Sequence, residues 1–223
     1  MLWNELGMVC KYGGEFDMAE RYYRLALRHA RRCFTGKARD FFLANVRHNL
    51  GGLEHSRGRF SRAEKYARKS VELRLKAAAP DSLAVASDRA ALAAILDGLH
   101  KFTESEKHYL LALRVYRREY GASHAETAVI LNNLAALYHA TGRPKRAETH
   151  FRAALRMKRR VLGPSHPDVG VTMNNLAMFY RSQGKRSAAR SWLNRAFRIV
   201  NASIGSSHPT TQAVRNNLRQ LSR

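Results

Sequence analysis

One tetrapeptide returns along this chain at a fixed interval, and that interval constrains the fold more than any other feature. Asn132-Asn133-Leu134-Ala135 recurs 42 residues on as Asn174-Asn175-Leu176-Ala177, and after another 42 as Asn216-Asn217-Leu218. In the other direction the same step reaches Ala90-Ala91-Leu92-Ala93 and His48-Asn49-Leu50-Gly51. A second landmark keeps the register: Ala63-Glu64, Ser105-Glu106, Ala147-Glu148 and Ala189-Arg190. Its first copy, Ala19-Glu20, lies 44 residues before Ala63, so the first linker is two residues longer. Self-similarity at such a period is the mark of a repeat architecture, in which each unit buries its apolar face only against its neighbours.

Each unit holds two stretches of helical periodicity. In the first, Val129, Leu131, Leu134, Leu137 and Tyr138 fall mainly at three- and four-residue intervals, as on one face of an amphipathic helix. A glycine tolerant of the left-handed conformation closes this helix at Gly14, Gly58, Gly142 and Gly184, and His100 takes that place in the third unit, with Gly98 nearby. The second helix carries small and large residues at i, i+4 and i+7: Ala19/Tyr23/Ala26, Ala63/Ala67/Ser70, Ser105/Tyr109/Ala112, Ala147/Phe151/Ala154 and Ala189/Leu193/Ala196. Small residues let two helices approach, and the large one fills the space between them. The connectors repeat too. Leu162-Gly-Pro-Ser-His-Pro-Asp168 is echoed by Tyr120-Gly-Ala-Ser-His-Ala-Glu126 and Ile204-Gly-Ser-Ser-His-Pro-Thr210. Ser123 with Glu126, and Ser165 with Asp168, have capping-box spacing. Pro167 and Pro209 suit a first helical turn. His124, His166 and His208 read as loop or cap residues and not as ligands.

Leu134, Ala135, Tyr138, Ala147, Phe151 and Ala154, with Leu6, Gly7, Ala19, Tyr23 and Ala26 in the first unit, resemble the helix-pair signature of the tetratricopeptide repeat family. Cys10 replaces the signature aromatic of the first unit. The 42-residue length and the NNLA and LGxxHP elements resemble the repeats of kinesin light chains and their relatives. The fold expected is all-α: a right-handed superhelical solenoid of about five tetratricopeptide helix pairs plus a C-terminal capping helix. It would form a single array over 1–223, with repeats near 1–33, 38–77, 80–119, 123–161 and 166–203 and the cap helix at 208–223. Arg215, Asn216, Arg219, Gln220 and Arg223 give that last helix a polar face. Two departures stand out: the Asn pair is incomplete at His48-Asn49 and absent at Ala90-Ala91, and Glu54 sits where an apolar or aromatic side chain is usual. The chain begins inside a first helix, which points to a truncated stretch or a larger protein.

In the family it resembles, first helices line a concave groove. Carried over residue by residue, the groove positions are Asn132, Asn133, Ala136, His139 and Ala140 in the fourth repeat, and Asn174, Asn175, Met178, Arg181 and Ser182 in the fifth. The second contributes His48, Asn49, Gly52, His55 and Ser56, and the cap helix Asn216, Asn217 and Gln220. An Asn amide offers a donor and an acceptor, so a ladder of them can read the backbone of an extended peptide whatever its side chains. One Asn of each pair is expected to be structural and the other functional, with the choice between them open.

Charge is the one abnormal quantity: 40 Lys and Arg against 17 Asp and Glu give +23. That balance favours acidic partners. Basic residues crowd the second helices, at Arg21, Arg24, Arg28, Arg31 and Arg32, and again at Arg143, Lys145, Arg146, Arg152, Arg156, Lys158, Arg159 and Arg160. No apolar run is long enough to span a bilayer, and MLWNELGMVCKYGG lacks the basic start and apolar stretch of a secretory signal. Cys10 and Cys33 have no metal-type spacing, so a reducing, cytoplasmic setting is the default. There is no Gly-rich phosphate loop, HExxH, G-x-S-x-G or Cys-x-x-Cys. The expectation is therefore a non-catalytic protein-interaction scaffold without cofactor or metal. Its groove would take an extended acidic peptide or partner segment, with His48, His55, His139 and Arg181 favouring negative charge. The alternative is a basic surface that binds nucleic acid or anionic membrane through the outer helices.

Overall fold

The computed structural model describes residues 2–121 and 123–222, without the Ser222 side chain. Met1, Ala122 and Arg223, which fall at the start of the first expected repeat, between the third and fourth, and at the end of the expected cap helix, lie outside the described residues. Eleven helices are present among the described residues, in order: α1 (Leu2–Tyr12), α2 (Phe16–Cys33), α3 (Gly36–Ser56), α4 (Phe60–Ala77), α5 (Leu83–Gly98), α6 (Phe102–Tyr120), α7 (Ala125–Ala140), α8 (Pro144–Leu162), α9 (Pro167–Ser182), α10 (Arg186–Ile204) and α11 (Pro209–Ser222). No strand occurs among the described residues. The helices form two compact units, one reaching to Val115 and one starting at Tyr116.

In the first unit the pairing follows the repeat. Ala19, Tyr23 and Ala26 of α2 pack against Val46, Leu50 and Leu53 of α3. Ala63, Ala67 and Val71 of α4 pack in the same way against Leu92, Ile95 and Leu96 of α5. The small residues do what their spacing implies. A Cβ added at Gly7 would lie 2.5 Å from the Tyr23 ring, closer than any real contact, so α1 can approach α2 only with glycine there. Ser105 of α6 donates its hydroxyl to the Ala93 carbonyl at 2.8 Å, which satisfies a polar group inside an otherwise apolar interface.

The second unit repeats the scheme. Ala147, Phe151 and Ala154 of α8, and Ala189, Leu193 and Ala196 of α10, are buried with Leu134, Leu137, Leu176 and Phe179 of α7 and α9. The Phe151 and Phe179 rings lie 5.9 Å apart. Val129, placed on the apolar face by periodicity, is instead exposed.

First helices close as the sequence implies. Gly14, Gly58, Gly142 and Gly184 all have φ between 69° and 81°, and in the third repeat His100 occupies the left-handed region at φ 58°. The caps differ from expectation. Pro167 stands at the first helical position of α9, which makes His166, not Ser165, the capping residue. His166 Nδ1 accepts from the Asp168 amide at 3.1 Å, His124 Nδ1 from the Glu126 amide at 3.2 Å, and His208 Nδ1 from the Thr210 amide at 3.1 Å. Ser123 and Ser165 therefore sit one residue too early for a capping box. In the third repeat Ser82 holds the same register and caps α5 through Val85.

Glu54 is fully buried, and its environment explains its presence. Arg57, itself nearly sealed, donates to Glu54 at 2.9 Å and to Glu20 and Asp17 at 2.6 Å. The Glu of the repeated Ala-Glu landmark thus ties one repeat to the next. Glu64 does so through Lys101 at 2.7 Å, and Glu148 through the Tyr180 hydroxyl at 2.8 Å.

Candidate groove site

Three amide side chains on the first-type helices follow one rule, and Asn133, preceded by Ala90 in the earlier repeat, is the exception. The second Asn of a repeat donates through Nδ2 to Oδ1 of the first Asn of the repeat before it. Asn175 donates to Asn132 at 3.2 Å, and Asn217 to Asn174 at 2.9 Å. In the first unit Asn49 donates to Asn4 at 2.9 Å. Asn4 lies 44 residues before His48, in the first-Asn register. In the Asn174-Asn175 pair both residues are thus engaged between repeats, each through one half of its amide. Asn174 spends its oxygen on Asn217 and keeps Nδ2, and Asn175 spends its nitrogen on Asn132 and keeps Oδ1. Asn132 and Asn133 are joined by a longer bond, 3.4 Å.

All twelve predicted groove residues are exposed or half-buried, in contrast to the sealed leucines beside them. They fall into two groups. His48, Asn49 and His55 belong to the first unit; Asn132, Asn133, His139, Asn174, Asn175, Met178, Arg181, Asn216 and Asn217 belong to the second. In the second unit His139 stands edge-on to Phe179, with ring centroids 5.5 Å apart, and Arg181 donates to Gln220 at 3.0 Å. Met178 is half-buried, and Asn216 is exposed.

In the first unit His48 already has a partner. Its Nδ1 meets the buried Asp88 carboxylate at 2.7 Å, and Arg74 donates to the same carboxylate at 2.8 Å. Arg74 also donates to Asn45 Oδ1 at 2.6 Å and lies over the Phe41 ring. Burial alone would raise the Asp88 carboxyl; the hydrogen bonds from His48 and Arg74 outweigh it and hold the group below the ordinary range. Because guanidinium can only donate, Asn45 must present its oxygen to Arg74 and its NH2 elsewhere. These residues line a cleft of about 330 Å³ with Asn4 and Asn49. Asn4, Asn45, Arg74 and Asp88 were not among the predicted groove positions. Only Asn4 carried a sequence signal, its register with His48. His55 packs edge-on to Phe60. Desolvation and then the Lys11 charge push its imidazole below the ordinary range, which disfavours its charged form.

No group of three or more His, Cys, Asp or Glu among the described residues could hold a metal ion. No helix among them is long and apolar enough to cross a membrane.

A family profile described as tetratricopeptide repeat matches residues 1–76, 81–160 and 146–202. No curated protein matches the chain. Among solved structures, BtubC (BKLC) from P. vanneervenii is 27% identical with a TM-score of 0.74, over 92% of this chain and 80% of that one. A kinesin light chain-type protein of Podosopora anserina, with nearly identical TPR-like repeats, is 16% identical with a TM-score of 0.70, over 91% and 95%. The apo form of RapI is 13% identical with a TM-score of 0.75, over 98% and 81%. At such identities the last two speak for the fold alone.

Proposed function

The chain belongs to the tetratricopeptide repeat family, whose fold is generally a protein-interaction scaffold, and from that premise we propose that its first-type helices take an extended acidic peptide segment of a partner protein. The observation that carries this reading is the half-used asparagine ladder. Asn174 retains a donor and Asn175 an acceptor, one residue apart on α9, and neither is sealed from solvent. An extended backbone offers a carbonyl and an N–H at each residue, which is the complement such a pair needs. The bonds already made between repeats hold both amides in one orientation before any ligand arrives. Less side-chain freedom is then lost on binding.

Acidity of the partner follows from charge. The second unit, residues 116–223, holds 19 Lys and Arg against four Asp and Glu. A peptide array of acidic, neutral and basic extended sequences, probed with the whole chain, tests both parts. Acidic sequences should be retained and should tolerate side-chain scrambling that preserves charge, because backbone contacts do not read order. Retention of basic sequences, or of none, would overturn the proposal.

A further inference from the structure

The positive charge of this protein is not evenly compensated. The first unit has 21 basic and 13 acidic residues, and several of its basic groups are engaged by carboxylates: Arg57 with Glu20 and Glu54, Arg68 with Glu64 and Glu104, Lys101 with Glu64, Arg74 with Asp88. The second unit has 19 basic and only four acidic residues, and no Asp or Glu occurs after Asp168. Three of those four are already committed, Glu119 to Arg118, Glu148 to Arg152 and Tyr180, and Asp168 to Lys158.

Within that unit Arg159 of α8 and Arg195 and Arg198 of α10 converge on one cleft of about 270 Å³, with Pro164, Met173 and Ile199. None of the three has a carboxylate partner among the described residues. All are exposed. Arg195 also lies 4.6 Å from the ring centroid of Trp192. Like charges gathered without counter-charge repel one another, so the free protein carries a cost that a bound polyanion removes. We propose that this face of α8 and α10 binds the phosphate backbone of nucleic acid, separately from the asparagine ladder, with which it shares no residue.

Two features favour nucleic acid over an anionic bilayer. Sixteen of the 19 basic residues in this unit are arginine, whose planar fork matches phosphate oxygens two at a time. The large exposed apolar side chains of the unit, Tyr120, Val129 and Val161, do not line the cleft. Binding of this kind positions a strand without reading its sequence.

The test uses the whole chain with fluorescently labelled single-stranded RNA, single-stranded DNA and duplex DNA, titrated over a range of salt. Affinity should fall steeply as salt rises and should be indifferent to sequence. In the Arg159→Gln/Arg195→Gln/Arg198→Gln variant, the logarithmic salt slope should be shallower by about two to three. Affinity at low salt should drop at least tenfold. The Asn174→Leu/Asn175→Leu variant should bind as wild type. Helicity of the triple variant, measured by circular dichroism, should be unchanged because all three side chains are on the surface. Wild-type affinity in the triple variant would overturn the proposal. So would binding to phosphatidylserine-containing vesicles with no binding to any of the three nucleic acids.

Discussion

Asn217 gives its amide hydrogen to Asn174 Oδ1 across 2.9 Å, the same bond that Asn175 makes to Asn132 one repeat earlier. Residues that look like ligand contacts are thus also joints between repeats, and the two roles can be separated by substitution. Asn217→Ala removes a donor and leaves the Asn174 oxygen to water; it should lower stability by about 1 kcal/mol. Asn175→Asp keeps the size but sets a carboxylate against the Asn132 oxygen. It should lower both stability and acidic-peptide binding, whereas Asn217→Ala should lower stability more than binding. Denaturant midpoints and peptide titrations on the same samples check the distinction.

Val9 and Leu53 hold the same place in consecutive repeats, yet Val9 is 68% exposed and Leu53 is fully buried. Leu53→Ala should cost about 2 to 5 kcal/mol, from lost transfer energy and the cavity left behind. Val9→Ala should stay within about 0.5 kcal/mol of wild type. Equal losses would show that Val9 is covered in solution.

Among the described residues His100 is the non-glycine residue in the left-handed region, at a position that Gly14, Gly58, Gly142 and Gly184 fill elsewhere. His100→Gly relieves the Cβ clash with the backbone but frees the unfolded chain. The balance should raise stability by about 0.5 to 1 kcal/mol. An unchanged or lower thermal midpoint would mean that the edge contact between His100 and Phe102 outweighs the strain.

Asp88 supplies a pH-dependent term. Its carboxyl is held below the ordinary value in the folded state, so its stabilisation is present above the unfolded pKa and is lost as pH falls through the folded one. Asp88→Asn should cost about 3 to 5 kcal/mol at neutral pH, because Arg74 stays buried without its partner. The gap between variant and wild type should narrow only below about pH 4. A constant gap from neutral to acidic pH would exclude the ionised carboxylate as the source.

The repeat frame, the helix pairs and even the left-handed His100 were legible because each depends on local chemistry recurring at a fixed step. The caps were misread because Ser165 and Asp168 satisfy a capping-box spacing, whereas Pro167 at the first helical position shifts the cap by one residue to His166. Placing the groove residues on first helices depended on the family pattern. Their pairing was hidden because Asn132 and Asn175 meet only when two repeats stack. Arg74 and Asp88, 14 residues apart on different helices, carry no shared periodicity, so the ion pair beneath His48 emerges only in three dimensions.

The most direct test of groove recognition is calorimetric titration of an acidic extended peptide, taken from the array, into wild type and into the Asn174→Leu/Asn175→Leu variant, with helicity measured in parallel. Groove recognition predicts at least a tenfold loss of affinity with helicity retained, since two backbone hydrogen bonds of about 0.5 to 1.5 kcal/mol each disappear. Undiminished affinity in a folded variant would contradict it.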